Sequence, residues 1–181
     1  MTFIILDRDG VINYDSDEFI KSPAEWHAIP GSLKAIAKLT QAGYIVTIAS
    51  NQSGVGRGYF SLETLAVINQ KMITAIEKHG GHISALVFCP HSPDANCDCR
   101  KPKPGLLQQI AKKLNLPLTE ALVIGDSLRD IEAGLAVNAK TALVLTGKGE
   151  KTLSKHAQEL VNIPVYKDLA DVVETILANK I

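Results

Sequence analysis

Five short runs rich in Ile, Val, Leu and Ala recur along the chain, at Phe3–Leu6, Tyr44–Ala49, Ala85–Phe88, Ala121–Ile124 and Thr141–Leu145. Each is bounded by turn residues and reads as a buried strand. Longer amphipathic stretches lie between them. Leu33, Ile36, Ala37 and Leu39 form an apolar stripe that stops at Gly43, and Ser61 caps a stretch carrying Leu65, Ile68, Met72 and Ile76. Two further stripes run through Leu106–Leu114 and Leu128–Leu135. A last helix is expected over about Leu169–Leu177, after an edge strand near Pro164–Tyr166. Strands that alternate with helices pair in parallel through right-handed crossovers. The expected fold is therefore α/β: a doubly wound, mostly parallel, Rossmann-like sheet with helices on both faces.

A chain of 181 residues fits one domain, 1–181, with no internal repeat and no linker. It leaves no room for a large cap domain after the first or third strand. Hydrophobic residues at 46% and charged residues at 21% exclude a disordered or low-complexity protein. Nineteen basic and nineteen acidic residues cancel, so no general affinity for nucleic acid is expected. No run of about 18 apolar residues and no basic leader ahead of an apolar stretch is present, so the expectation is a cytoplasmic protein without membrane contact. A monomer is expected.

Folds of this class place ligands in the loops at the carboxyl ends of their strands. The first strand ends in Asp7-Arg8-Asp9-Gly10, where residues two apart project to one side. A turn would use the same residues. The second run is followed by Ser50-Asn51-Gln52-Ser53, a hydroxyl and amides suited to an oxyanion, though also common in turns. The Gly54–Gly58 segment lacks the spacing of a dinucleotide loop. Gly125-Asp126-Ser127-Leu128-Arg129-Asp130 follows the fourth run; its carboxylates can charge the start of a helix or meet Asp7 around a hard cation such as Mg²⁺. Gly147-Lys148-Gly149 lacks Walker-loop spacing and reads as a turn. The connection Asp7–Gly31 is long for a structureless loop, a property of functional loops.

Asp-x-Asp after strand one, Ser after strand two, Lys101 before a helix and Gly-Asp-x-x-x-Asp after strand four together resemble the haloacid dehalogenase superfamily of phosphotransferases, over residues 3–146. The resemblance implies a nucleophilic Asp7, an acid and base in Asp9, and phosphoryl oxygens held by Ser50 and Lys101. It also implies Mg²⁺ bound by the side chains of Asp7 and Asp126 and the backbone carbonyl of Asp9.

Cys89, His91, Cys97 and Cys99 fall within eleven residues, a set suited to a closed structural zinc site. A Cys97–Cys99 disulfide is strained at that spacing, and free thiols are the remaining alternative. His27, His79, His82 and His156 are isolated and read as surface or turn residues. Zinc with three thiolates carries about −1 charge, and Arg100 and Lys101 follow directly, so the loop would fix two cations relative to the phosphate. The run Cys99-Arg100-Lys101-Pro102, with Leu6-Asp7-Arg8-Asp9-Gly10, resembles the D-glycero-D-manno-heptose 1,7-bisphosphate 7-phosphatase family, which serves lipopolysaccharide core biosynthesis. Histidinol-phosphate phosphatases carry a similar zinc loop. The stretch Asn51–Gly58 favours the heptose enzymes. That resemblance implies a small sugar bisphosphate substrate, with Asp15, Ser16, Asp17, Glu18, Ser50, Asn51, Gln52 and Ser53 along the sugar, and Arg57, Arg100 and Lys101 at the phosphates. Ser127 departs from the family, some members having lysine there. A non-catalytic zinc-stabilised binding module is the reading of another class; the intact Asp7, Asp9, Ser50, Lys101 and Asp126 set argues against it.

Overall fold

Phe3–Leu6 forms β1, with all four side chains buried. Burial on both faces puts this strand at the centre of a sheet. A computed structural model describes residues 3–179, and in it β1 lies between β2 (Ile45–Asn51) and β4 (Ala121–Gly125), parallel to both. With β3 (Ala85–Cys89), β5 (Lys140–Val144) and β6 (Val165–Tyr166) the sheet order is β3-β2-β1-β4-β5-β6, and every pairing is parallel. The chain moves outward in one direction to β3 and then returns to start β4 on the other side of β1. The crevice between the ends of β1 and β4 is thus the topological switch point, where open α/β sheets bind ligands.

The helices are α1 (Ser32–Gln41), α2 (Ser53–Gly56), α3 (Leu62–Lys78), α4 (Gly105–Leu114), α5 (Leu128–Leu135), α6 (Gly149–Lys155) and α7 (Leu169–Asn179). The two-residue period of β1 divides the core. Ile4 and Leu6 pack with Ile36 and Leu39 of α1, Ile68 and Met72 of α3, and Val172 and Val173 of α7. Phe3 and Ile5 point to the other face, against Leu106, Leu107 and Ile110 of α4 and Ala133 of α5. Helices on both faces are thereby required to cover the sheet.

Local signals at the helix ends act as the sequence indicates. Ser61 Oγ accepts a hydrogen bond from Thr64 N–H at 3.1 Å, and Gly43 closes α1 with φ +85°. Strand boundaries shift by one or two residues from expectation, and three of the differences bear on the site. The strands β2 and β3 run on through Asn51 and Cys89, because the ladder pairs Ser50 with Phe88 and Asn51 with Cys89. Ser50 and Cys89 are therefore strand residues rather than loop residues. Gly147-Lys148-Gly149 is a turn, as read, but it opens α6, whose polar seven residues bury only Gly149 and Thr152 and so show no apolar period.

The 7–31 connection is folded rather than structureless. Asn13 bridges to Asp9 and to Ala28, Ser32 Oγ donates to Val11 O at 2.8 Å, and Lys71 Nζ on α3 donates to the carbonyls of Pro23 and Trp26 at 2.6 and 2.9 Å. It adds a collar at the strand ends, not a cap domain. Met1, Thr2, Lys180 and Ile181, which the one-domain expectation includes, lie outside the described residues. Among the described residues no helix is long and apolar enough to cross a membrane.

Candidate active site

Lys101 joins the strand ends into one site. Its side chain is 3% exposed, and its ammonium lies 3.0 Å from Asp7 Oδ1, 2.6 Å from Asp130 Oδ1 and 2.7 Å from Ala49 O. Those contacts use all three of its donors. Asn51 fixes the backbone of Lys101 from both sides, donating to its carbonyl at 3.0 Å and accepting from its N–H at 3.1 Å. Asp130 is held in turn by Ser127, whose N–H and Oγ both donate to Oδ2 at 3.1 and 2.6 Å. Ser127 and Asp130 therefore form the capping box of α5 and also position the lysine. Burial works against the lysine's charge, but Asp130 and Asp7 more than offset it and keep the group protonated.

Asp126 is buried beside this group. Lys148 N–H donates to its Oδ2 at 2.7 Å, and Thr152 Oγ1 donates to its carbonyl at 2.9 Å. Gly10 and Gly147, at φ +87° and +59°, close on its carboxylate; a Cβ on either would collide with it. The carboxylate oxygens of Asp7, Asp126 and Asp130 lie within 4.8 Å of one another. Burial first, then the neighbouring carboxylates, push Asp7 up to about 7 and Asp126 up to about 8, with Lys101 pulling Asp7 the other way. Clustered acids that resist ionisation fit a missing positive charge. Asp7 and Asp126 suit a divalent cation with oxygen ligands, whereas both oxygens of Asp130 are engaged by Lys101 and Ser127.

Asp9 is held by a different set of partners from Asp7. It accepts from the Arg8 guanidinium at 3.0 and 3.1 Å, from Asn13 Nδ2 at 2.8 Å and from Gln52 Nε2 at 2.7 Å. Arg8 is 1% exposed, and its remaining donors meet Asn69 Oδ1 and Gln52 Oε1 at 3.0 and 3.1 Å. This buried network fixes the side chain at Asp9 two residues beyond Asp7.

A cleft of about 290 Å³ opens above these groups. Asp7, Asp9, Asp15, Ser16, Asp17, Asn51, Gln52, Ser53, Arg57, Arg100, Lys101 and Asp126 line it. Two residues expected there do not. Ser50 is buried on β2, where its Oγ accepts from Gln52 Nε2 at 2.8 Å, and Glu18 faces a neighbouring groove with Tyr14, Lys21 and Glu25. Five lining residues went unread in the sequence as site residues: Phe19, Ile20, Pro93, Arg129 and Lys148. Lys148 Nζ pairs with Asp15 at 3.0 Å and Asp17 at 3.7 Å, tying the collar to the turn after β5. The strand-end rule that directs attention to the other loops applies to that turn as well.

Cys89, His91, Cys97 and Cys99 close on one point. Their ligating atoms are 3.3–3.6 Å apart along the edges Cys89–His91, Cys89–Cys97, His91–Cys99 and Cys97–Cys99. A tetrahedral zinc with Zn–S of about 2.3 Å spaces its sulfurs by about 3.8 Å, so the donor set fits the ion closely. All three cysteines are free, and the Cys97–Cys99 sulfurs at 3.6 Å form no disulfide. Burial pushes Cys99 up to about 12, while hydrogen bonds, first from the Arg100 backbone, overcome burial and lower Cys97 to about 6. Gly56 N–H donates to Pro90 O at 2.8 Å, docking the zinc loop on α2. His27, His79 and His82 are exposed and His156 is half-buried, as expected for residues outside a site.

An aspartate pair at the switch point, a buried lysine and a second acidic strand end define the site of a HAD-like hydrolase. The family model for HAD-like hydrolases matches residues 98–172. The D-glycero-beta-D-manno-heptose-1,7-bisphosphate 7-phosphatase of Neisseria meningitidis is 53% identical over 160 residues, covering 88% of this chain and 86% of the relative. That of Pseudomonas putida is 49% identical over 177 residues, covering 98% and 100%. The crystal structure of D,D-heptose 1,7-bisphosphate phosphatase from B. bronchiseptica, complexed with magnesium and phosphate, superposes with a TM-score of 0.94 at 48% identity and covers 99% of both chains. The chain belongs to the heptose 1,7-bisphosphate 7-phosphatase family within the HAD-like hydrolases.

Proposed function

We propose that this protein removes the 7-phosphate of D-glycero-β-D-manno-heptose 1,7-bisphosphate, in the cytoplasm, as a monomer of one domain spanning 1–181. The reaction supplies ADP-heptose synthesis for lipopolysaccharide core. The observation that carries this reading is the charge of the cleft. Asp7, Lys101 and Asp126 line it at the strand ends, and Arg57 and Arg100 line the same cleft. A substrate with a second anion besides the reacting phosphate gives those two guanidiniums a partner.

Asp7 attacks phosphorus in line and forms an aspartyl-phosphate as the bond to the 7-oxygen breaks. Asp9, in its acid form, gives a proton to the departing alkoxide. The resulting Asp9 carboxylate then takes a proton from water, which attacks the phosphorus, releases phosphate and restores Asp7. Lys101 opposes the charge that builds up where one anion approaches another. Asp7, Asp126 and the Asp9 carbonyl would hold Mg²⁺, which supplies further charge neutralisation at the reacting phosphate. Zinc on the cysteine loop would be structural, since its four ligands leave no open position.

Two measurements test this. Phosphate release is compared for both anomers of heptose 1,7-bisphosphate, histidinol phosphate and fructose 1,6-bisphosphate, with ³¹P NMR to identify the product. The β-heptose bisphosphate should turn over fastest and leave a 1-phosphate; faster histidinol phosphate hydrolysis overturns the substrate assignment. Asp7→Asn keeps the shape and removes the nucleophile, so kcat should fall by about a thousandfold or more with the fold intact. Retention of more than a few per cent of activity excludes the aspartyl-phosphate route.

A further inference from the structure

Every cation around the cleft except its arginines has a defined partner. Lys101 is bound to Asp7 and Asp130, and Lys148 to Asp15 and Asp17. The guanidiniums of Arg57 and Arg129 make no ion pair or hydrogen bond with another side chain among the described residues. Arg100 has a buried Nη1 with no hydrogen-bond partner. Arg100 and Arg57 are already placed at the distal phosphate by the reading above. Arg129 is new to the site. It stands at the second position of α5 and lines both the cleft and the adjoining groove beside Arg100, close enough for the charges of Arg129 and Arg57 to act on Arg100.

Three converging guanidiniums repel one another unless an anion lies between them. A carboxylate from the protein does not fill that role among the described residues. Acidic groups that line the cleft are committed elsewhere: Asp130 to Lys101 and Ser127, Asp15 and Asp17 to Lys148; Glu132, which shares a neighbouring groove with Arg129, does not line the cleft. The helix that carries Arg129 is itself anchored by the Ser127–Asp130 capping box, and Asp130 also holds Lys101, so one element positions both cations at the cleft.

We propose that Arg129 is a specificity-determining residue that, with Arg57 and Arg100, grips the phosphate that is not hydrolysed, and so makes the enzyme select a bisphosphate over a monophosphate. This rests on the heptose bisphosphate reading. The distal phosphate does not react, so its contact with Arg129 is equally strong in the ground and transition states. Its loss therefore appears in KM, not kcat.

The test compares wild type, Arg129→Gln and Arg129→Lys on heptose 1,7-bisphosphate and on p-nitrophenyl phosphate, which has no second anion. Arg129→Gln should lower kcat/KM for the bisphosphate by about ten- to a hundredfold, the range for one charge-assisted hydrogen bond, mostly through KM. Activity on p-nitrophenyl phosphate should stay within about twofold. Arg129→Lys should recover part of the loss, since it restores charge without the planar fork. Lys151→Gln removes an equal charge from exposed α6, outside the cleft, and should change neither substrate. Equal losses on both substrates, or no loss on the bisphosphate, overturn the assignment of Arg129. A wild type that shows no preference for the bisphosphate instead overturns the underlying reading, and the proposal with it.

Discussion

At the scale of single residues, the site depends on charges that are buried and individually costly. Lys101 and Asp130 are 3% and 1% exposed and lie 2.6 Å apart. Removing one member of such a pair leaves the other charged and without solvent, which costs about 3–5 kcal/mol. Asp130→Ala should therefore lower stability by that amount in urea denaturation and also free Lys101 to move. A change below about 1 kcal/mol would mean that Asp7 alone satisfies the lysine. Lys38 and Glu174, 3.7 Å apart and more than half exposed, offer the contrast: a screened surface pair of little consequence.

At the scale of elements, the connection between β3 and α4 runs through residues 90–104 and must place Arg100 and Lys101 accurately. Its own apolar content is small, so packing alone cannot fix it. A zinc ion held by Cys89, His91, Cys97 and Cys99 would supply that order, with Cys89 anchored on β3 itself. Purified protein should hold about one zinc per chain by metal analysis. Cys97→Ser should release it and lower activity sharply. The far-ultraviolet circular dichroism should change little, since the sheet packs mainly through aliphatic side chains of strands and helices, with Cys97 and Cys99 only partly buried against one of the two clusters. Full activity in a zinc-free preparation would exclude the ordering role.

At the scale of the molecule, the acidic pole couples folding to pH and to magnesium. Asp7 and Asp126 are raised from 3.8 to about 7 and about 8 in the metal-free fold. Between those values the folded chain binds protons that the unfolded chain has lost. The unfolded state then binds fewer protons, so stability falls as pH rises from about 4 to 8. On the proposed reading Mg²⁺ would take the place of the protons, and its stabilising effect should grow over the same interval. Thermal melts of magnesium-free protein should show a lower midpoint at pH 8 than at pH 5.5, with the gap reduced by added Mg²⁺. Asp126→Asn should flatten the dependence. A midpoint that rises with pH in the metal-free protein would contradict the assignment of these two groups.

The alternation of apolar runs and amphipathic stripes by itself determined the parallel sheet, its helices on both faces and the loops that carry chemistry, because burial on both faces and the 3.6-residue period are local properties of the chain. That Asp7 and Asp126 meet at the strand ends and that Cys89, His91, Cys97 and Cys99 cluster was legible for the same reason: each group begins next to a strand end that hydropathy marks. What joins these pieces is not local. The partners of Lys101 are Asp7, Ala49 and Asp130, far from it in the chain, and they meet only because the sheet order brings the ends of β1, β2 and β4 together. The withdrawal of Ser50 into β2 follows from its pairing with β3, and no signal within the segment shows where that ladder stops. Lys148 and Arg129 lie in segments whose sequence suits an ordinary turn and a helix start. The tertiary structure decided their place at the cleft, because a side chain's direction depends on how its element is docked, not on its neighbours in sequence.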